Sequence, residues 1–230
     1  MDNDLKLLME DFKVDQIYKN SLFSVKSICE HLGIWDNYSD EEKFKLENLT
    51  ARDSKLNKNF NYKGDYNSDF VYGEVTKKGV QTIIEKITKY KDIKESDVFV
   101  DIGSGCGKLV LQMAVKTNFR NLVGIEIIDI RNKYAKTILE QIVPIDDKDK
   151  KIFFINKDVR DFDLSICRVV FVNNLLFSSE LNNLIYDRLP EGCHIISSSK
   201  FNKCKFLKDT FNAEVSWSLD KGAKIYYYIK

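Results

Sequence analysis

The chain has 230 residues, of which 43% are hydrophobic and 31% are charged, and its formal net charge is +1. This apolar content supports a packed core and excludes a disordered protein, while the length suits one medium domain with a smaller appended segment. Because 36 basic residues balance 35 acidic ones, the global charge excludes a strong nucleic-acid footprint, and any DNA contact must come from local patches.

Cysteine and histidine usage bounds the compartment and the metal chemistry. Five cysteines are present, an odd number with no C-x-x-C pair, and there are only two histidines. With no signal peptide at the N-terminus, the cysteines are interpreted as reduced thiols, which predicts an intracellular protein that is not secreted. We expect no metal site. No apolar stretch has the length of a membrane span, so we expect no membrane association.

The N-terminal third carries helical patterns followed by an irregular stretch. Residues 4–31 have a loose helical period, and the capping box Ser39–Glu42 predicts a short helix after it. Residues 53–70 are polar, aromatic and irregular, which predicts a long surface loop. We therefore expect a helical subdomain with its loop over residues 1–66 and a second domain over residues 67–230.

Strand and helix patterns alternate along the rest of the chain. Runs rich in β-branched and aromatic residues predict strands at 98–102, 122–126, 152–155, 169–172, 194–196, 215–217 and 225–228. Helical periods alternate with them and have N-caps at Thr76, Asp129 and Ser178 or Ser179. The last two strands lack a helix between them and predict an antiparallel pair. This layout predicts an α/β fold with a mostly parallel sheet.

The segment 98–108, VFVDIGSGCGK, carries the strongest local pattern. A strand carrying Asp101 breaks into alternating glycines before a helical period begins. These glycines are Gly103, Gly105 and Gly107. A turn without side chains lets a ligand lie on its backbone, and Glu126, at the end of the next strand, is placed to accept hydrogen bonds from ribose hydroxyls. The pattern indicates a nucleoside-bearing cofactor.

The glycine spacing narrows the cofactor. The dinucleotide fingerprint G-x-G-x-x-G has a third small residue that lets helix and strand pack closely, and Lys108 occupies that place here. The chain instead has D-x-G-x-G-x-G, which resembles motif I of S-adenosylmethionine-dependent methyltransferases. An ordinary glycine turn of an α/β protein is the alternative at this point.

Further segments follow in a characteristic order: Val71–Glu74, Gly124–Glu126, Phe171–Asn174 with Phe177, Ser197–Lys200, and Val215–Trp217 with Tyr226. Together they resemble the Dot-type (disruptor of telomeric silencing) histone lysine methyltransferases, which lack a SET domain. The resemblance covers roughly residues 55–230. It implies a class I S-adenosylmethionine-dependent methyltransferase fold, with a seven-stranded mostly parallel sheet, a C-terminal antiparallel hairpin and a small N-terminal helical subdomain.

The resemblance implies S-adenosyl-L-methionine as the methyl donor. Glu126 is then expected to hold the ribose and Asp158 the adenine amino group. Asp101 is expected either to lie near the ammonium end of the donor or to order the loop around it. The full set of implied cofactor-binding residues is Tyr72, Glu74, Val75, Asp101, Gly103, Gly105, Gly107, Lys108, Glu126, Ile127, Asp158, Val159 and Asn173. A plain loop acid is the alternative for Asp158, and a core aromatic is the alternative for Tyr72.

The acceptor implied by the resemblance is a lysine in the folded core of histone H3, on the nucleosome face. The reacting amine must be neutral, yet a lysine in water has a pKa of about 10.4. A narrow aromatic channel lowers that pKa by desolvating the cation. The implied catalytic and channel residues are Tyr72, Asn173, Phe177, Trp217 and Tyr226. Ordinary packing in the terminal hairpin is the alternative for Trp217 and Tyr226.

The basic residues Lys200, Lys203, Lys205 and Lys208 follow the serine-rich strand end. They are interpreted either as weak contacts to DNA phosphate or to an acidic protein surface, or as a solvated charged face. We expect a monomer that is nuclear if histones are its substrate. The alternative hypotheses are a methyltransferase of a non-histone protein or small amine, and an inactive cofactor-binding interaction module.

Overall fold

The computed structural model describes residues 35–37, 39–46, 73–142, 150–204, 206–218 and 222–230. The helical period predicted over 4–31, the loop predicted over 53–70 and the domain boundary at residue 66 lie outside these ranges. A 3-10 turn, Trp35–Asn37, precedes helix α1 (Asp40–Leu46). The short helix predicted from the capping box is therefore confirmed.

The remaining helices and strands alternate as predicted. They are α2 (Lys77–Tyr90), β1 (Val98–Ile102), α3 (Lys108–Lys116), β2 (Asn121–Glu126), α4 (Asp129–Ile142), β3 (Lys151–Asn156), β4 (Val169–Val172), α5 (Ser179–Arg188), β5 (His194–Ser197), β6 (Leu207–Ala213) and β7 (Ala223–Ile229). Two 3-10 turns, Val159–Asp161 and Leu164–Ile166, lie between β3 and β4. Within the described ranges, no helix is long and apolar enough to span a bilayer.

The seven strands form one sheet in the order β3-β2-β1-β4-β5-β7-β6. β3, β2, β1, β4 and β5 pair in parallel, and β7 pairs antiparallel with both β5 and β6. This confirms the α/β fold of the class I methyltransferase type. β1 lies between β2 and β4, where the chain changes direction across the sheet, so the carboxyl ends of these three strands enclose a crevice.

Helices cover both faces of the sheet. α2, α3 and α4 pack on one face, where Ile83, Leu111 and Ile130 are fully buried. α5 and the two 3-10 turns cover the other face, where Ile185 and Leu164 are buried. Each such side chain contributes about 1.5–3 kcal/mol by leaving water. These two apolar layers hold the strand ends of the crevice in fixed positions.

Thr76 and one of the two serines cap their helices as predicted, whereas α4 begins at Asp129 itself, so Asp129 is the first residue of that helix and not its N-cap. The Thr76 hydroxyl accepts a hydrogen bond from the backbone N–H of Gly79, and Ser178 does the same for Leu181. Of the two serines considered for α5, Ser178 is therefore the cap. Such a cap satisfies one of the helix's unpaired N–H groups.

The prediction of a strand at 215–217 is wrong. The edge strand β6 is Leu207–Ala213, and residues 215–217 follow it. β6 exposes most of its side chains to solvent, so it lacks the apolar run by which the other strands were predicted. Val215 instead forms an isolated antiparallel bridge with Val75. This bridge joins the segment after β6 to the segment before α2.

Candidate functional site

A cavity of about 260 Å³ opens at the carboxyl ends of β1, β2 and β4. The predicted site residues that line it are Glu74, Val75, Asp101, Gly103, Gly105, Lys108, Glu126, Ile127, Asp158, Val159, Asn173, Phe177 and Trp217. They come from six separate segments of the chain. The fold thus brings the residues implied for a nucleoside donor and those implied for an acceptor channel into one space.

Gly107 does not line this cavity, and its role differs from the predicted one. Its φ is 84°, which suits the left-handed cap that begins α3. A Cβ atom on Gly107 would lie 2.5 Å from Cζ of Phe154 and 2.9 Å from Cβ of Ala135. Glycine is therefore required here by backbone conformation and helix packing, not by contact with a ligand.

Tyr226 also does not line the cavity. It pairs with Ser197 in the sheet and is half-buried on the α5 face, where its ring stacks on Tyr228 at a centroid distance of 6.4 Å. Alternation along β7 places Tyr227, and not Tyr226, on the opposite face. Tyr72, the remaining predicted residue, lies outside the described residues. In the described chain the predicted channel therefore has Phe177 and Trp217 as its aromatic walls.

The Glu126 carboxylate organises the glycine turn. Its Oε2 accepts the backbone N–H of Gly105 at 2.7 Å, and its Oε1 accepts that of Ile128 at 2.8 Å. The side chain is buried, at 5% exposure. Each carboxylate oxygen has a further lone pair for a ligand hydroxyl. The sequence predicted the ribose contact but did not predict this second role in shaping the turn.

Asp101 is a buried acid in the cavity wall, only 3% exposed. Burial, and secondarily the nearby charge of Glu126, raise the pKa of Asp101 to about 8. The carboxyl group is therefore protonated at neutral pH in the ligand-free protein. A cationic ligand group beside it would favour the ionised form.

Glu74 lies on a segment that is anchored to the C-terminal part of the chain. Its backbone N–H donates to Oγ of Ser216 at 2.8 Å, and the backbone N–H of Ser216 donates to the Glu74 carbonyl at 2.8 Å. Its carboxylate lies 3.6 Å from Nζ of Lys108, and both side chains are largely buried. These contacts hold residues 73–76 against residues 214–217. Ser216 carries no sequence signal for this role.

We expect Gly73→Ala to impair the wall formed by Trp217. A Cβ atom on Gly73 would lie 2.3 Å from Cε3 of Trp217, so the indole must move out of its place in the wall. Under the methyl transfer that the sequence resemblance implies, the rate should fall by about tenfold or more, since misplacing a positioning group has effects of this size, while donor affinity is retained. Steady-state kinetics and isothermal titration calorimetry measure the two. Gly192→Ala is the control for a general loss of stability, since an alanine is strained at its φ of 76° but its Cβ meets nothing within 4 Å and lies away from the cavity; equal losses in the two variants, or a wild-type rate for Gly73→Ala, contradict this prediction.

Asp158 both lines the cavity and caps a turn. Its carboxylate accepts the backbone N–H of Arg160 at 2.9 Å and pairs with the Arg160 guanidinium at 2.7 Å. Arg188, at the end of α5, donates to the carbonyls of Arg160 and Phe162, each at 2.6 Å. Arg188 therefore ties α5 to the turn that carries Asp158. This role of Arg188 could not be predicted from the sequence, because an arginine in the last turn of a helix is ordinary.

The acceptor side of the cavity has polar and apolar parts. Asn173 lines the wall, and Asn174 beside it is 1% exposed. Leu175 and Leu176 also line the cavity yet remain 46% and 44% exposed, so they form an apolar rim. The sequence did not predict that these two leucines line the cavity. Four further lining residues were not predicted either: Phe171, Leu181, Arg131 and Lys157.

The lysines predicted to contact DNA do not form one patch. Lys200 lies over Tyr226 on the α5 face of the sheet, whereas Lys208 lies over Tyr90 of α2 on the opposite face. Lys203 is ion-paired with Asp187 at 2.5 Å. Lys205 lies outside the described residues. The four lysines are close in the sequence, but they do not cluster in space. Lys208 belongs to β6, which is the edge strand of the sheet, and the chain changes from one face to the other there.

Comparisons with known proteins bear on the whole of this site. Residues 49–228 match the model of a family described as histone methylation protein DOT1. The H3 lysine-79 specific histone-lysine N-methyltransferase of Eremothecium gossypii is 29% identical over 144 residues, which cover 56% of this chain and 24% of that protein. The Drosophila melanogaster protein of the same name is 30% identical over 148 residues, covering 59% and 8%. The chain thus spans about a quarter and less than a tenth of these relatives. An RNA methyltransferase structure from Salinibacter ruber with S-adenosyl-L-homocysteine is similar at a TM-score of 0.49 and 22% identity, covering 65% of this chain and 90% of that one.

Proposed function

We propose that this chain, which belongs to the family of histone methylation protein DOT1, transfers a methyl group from S-adenosyl-L-methionine to a lysine of nucleosomal histone H3. One observation carries the proposal. A single cavity is lined both by Glu126 and the glycine turn, and by Asn173, Phe177 and Trp217. A nucleoside donor and a lysine side chain can therefore enter the same space.

The residues of the donor side fit the charges of S-adenosylmethionine. Glu126 retains lone pairs for the ribose hydroxyls, and the buried acid Asp101 suits an ammonium group, which would compensate its ionised form. Lys108 is the cation that suits the carboxylate of the same amino-acid tail. Asp158, Val159 and Ile127 line the remaining part, where the adenine would be held. When bound, the donor supplies an electrophilic methyl group on a sulfonium centre.

The acceptor side can prepare the amine. Phe177, Trp217 and the leucine rim exclude water, which disfavours the ammonium form of an entering lysine and lowers its pKa. The aromatic faces stabilise the cation as it enters. Asn173 is the polar group that can accept an N–H of the neutral amine and so direct its lone pair inward. No strong base is needed, since the proton can leave through water, and alignment supplies most of the acceleration.

Histone H3 as the acceptor is supported by the names of the relatives. Action on nucleosomes implies a nuclear location. Two predictions of the sequence stay predictions: a monomeric state, and contact with DNA phosphate through Lys200, Lys203, Lys205 and Lys208. A filter-binding titration of nucleosomal DNA and sedimentation analysis measure them.

The function is tested by incubating the protein with radiolabelled S-adenosylmethionine and, separately, reconstituted nucleosomes, free histones and a cell lysate. We expect label on histone H3 of the nucleosomes, and mass spectrometry should place it on a lysine. Label confined to non-histone proteins or small amines would overturn the assignment of the substrate. Donor binding without any label would identify a cofactor-binding module with no transferase activity.

A further inference from the structure

A buried polar cluster lies beside the acceptor side of the cavity, at the ends of β4 and β5. Val172 and Ser197 are paired at the ends of these parallel strands, so the residues that follow them are neighbours. Asn173 and Asn174 follow β4, and Ser198 and Ser199 follow β5. Asn174 is 1% exposed and Ser198 is 5% exposed, so water cannot readily replace their hydrogen bonds.

The Asn174 carboxamide has an orientation set by its partners. Its Oδ1 accepts the backbone N–H of Ser199 at 2.8 Å, and its Nδ2 donates to Oδ1 of Asn182 at 2.7 Å. A backbone N–H can only donate, which fixes the oxygen of Asn174 on the side of Ser199 and Ser198. Asn174 is therefore a rigid acceptor in this cluster.

The Ser198 hydroxyl lies between the two asparagines. Its Oγ is 2.6 Å from Oδ1 of Asn173 and 3.4 Å from Oδ1 of Asn174. A hydroxyl has one proton to donate, and the shorter contact has the normal length of a hydroxyl-to-oxygen hydrogen bond. Ser198 therefore donates to Asn173, whose carboxamide lines the cavity.

We propose that Ser198 is a positioning residue for the methyl transfer proposed above, on which this inference rests. The terminal torsion of an asparagine side chain has a broad energy minimum, so a carboxamide in a cavity wall rotates unless it is held. The Ser198 hydroxyl binds one lone pair of the Asn173 oxygen and leaves the other for an amine N–H. With the carboxamide turned over, its NH₂ group would instead compete for the amine lone pair that must attack the methyl group. A hydroxyl can also accept, but a turned-over carboxamide would leave the Ser198 proton only the 3.4 Å contact to Oδ1 of Asn174. Ser198 thereby maintains the productive orientation.

Ser197 offers a matched control. It is also a buried serine, and its hydroxyl also makes one close hydrogen bond, to the carbonyl of Ser199 at 2.7 Å. A general effect of removing a buried hydroxyl from this strand end should appear in both variants. An effect exerted through Asn173 should appear only in Ser198→Ala.

The kinetic test is a double-mutant cycle in the full chain. Ser198→Ala should lower kcat by about tenfold, the scale of one oriented hydrogen bond, and should leave the dissociation constant for S-adenosylmethionine within twofold. Ser197→Ala should leave both unchanged. In an Asn173→Ala background, Ser198→Ala should have no further effect, because its partner is absent. Additive losses, or equal losses from Ser197→Ala and Ser198→Ala, overturn the proposal.

A spectroscopic test does not depend on turnover. In the wild-type protein the Asn173 Nδ2 group should have a high ¹⁵N order parameter, which falls in Ser198→Ala as the carboxamide becomes free to turn about its Cβ–Cγ bond. The order parameter should stay high in Ser197→Ala. An unchanged Asn173 order parameter in Ser198→Ala overturns the positioning role whether or not the protein transfers methyl groups. Absence of transfer by the wild-type protein overturns the proposed function and leaves this readout intact.

Discussion

Glu126→Gln is expected to lower the affinity for S-adenosylmethionine by a factor of about 100 or more. The wild-type carboxylate accepts the backbone N–H groups of Gly105 and Ile128. A carboxamide can accept only one of them, and its NH₂ group then faces the other donor. A charge-assisted hydrogen bond contributes about 1.5–3 kcal/mol, and the lost ribose contact adds to the loss of the turn.

Isothermal titration calorimetry with S-adenosylmethionine measures this effect directly. Glu140→Gln is the matched control, because Glu140 is an exposed acid on α4 and lies away from the cavity wall. It removes the same charge and should bind the donor as the wild-type protein does. An affinity for Glu126→Gln within a few-fold of wild type would show that neither the turn nor the ribose depends on this carboxylate.

The affinity for S-adenosylmethionine is expected to rise as the pH increases from 5.5 to 7.5, by up to about tenfold per pH unit. Asp101 is protonated over this range in the ligand-free protein, because its pKa is raised to about 8, and binding of an ammonium group requires its ionised form. Binding should therefore release a proton from Asp101. Calorimetry in buffers of different ionisation enthalpy counts the protons released.

Asp101→Asn should bind the donor weakly and with no pH slope in this window. His194 is not expected to contribute to this pH dependence. Burial, with the charge of Lys91, lowers its pKa. It also lies at the end of β5 that faces away from the cavity, hydrogen-bonded to Tyr227. A wild-type slope that persists in Asp101→Asn would assign the titration to another group.

The Asp101 carboxyl group also makes the stability of the ligand-free fold depend on pH. Here the sign is opposite to that of the donor affinity, because stability falls as the pH rises. The folded-state pKa of Asp101 lies above its unfolded value of 3.8, so the folded protein binds more protons between these values. Its contribution is fully present below about pH 4 and is lost as the pH rises toward 8, by at most about 1.4 kcal/mol per pH unit. Ligand-free Asp101→Asn should accordingly show a higher melting temperature than the wild-type protein at pH 8. Equal melting temperatures at pH 8 would argue against this ionisation.

The sequence predicted the parts of the site that depend on local pattern. The strand, the glycine turn and the acid of the next strand are close in the chain, and their residue types follow from the turn they must form. The assignment of Gly107 shows the limit of such patterns, because its glycine serves the packing of Phe154 and Ala135 and not the ligand. A motif predicts the position of a small residue, but it does not predict which neighbouring atoms exclude a larger side chain there.

Contacts between distant segments could not be predicted. Ser198, Ser216 and Arg188 act through hydrogen bonds to residues remote in the chain, and their residue types are ordinary for exposed loops and helix ends. The placement of Tyr226 failed for a related reason, since the register of β7 decides which face each tyrosine occupies. The resemblance of the chain to the family predicted Trp217 as a wall of the channel, although residues 215–217 do not form the predicted strand.

The pairing of residues 73–76 with residues 214–217 has a consequence for biosynthesis. Its hydrogen bonds join positions 138 to 142 residues apart, so this wall of the cavity closes only after residues 214–217 have been synthesised. Such long-range closures form slowly. A nascent chain can therefore pair its central strands before the wall that carries Trp217 is in place.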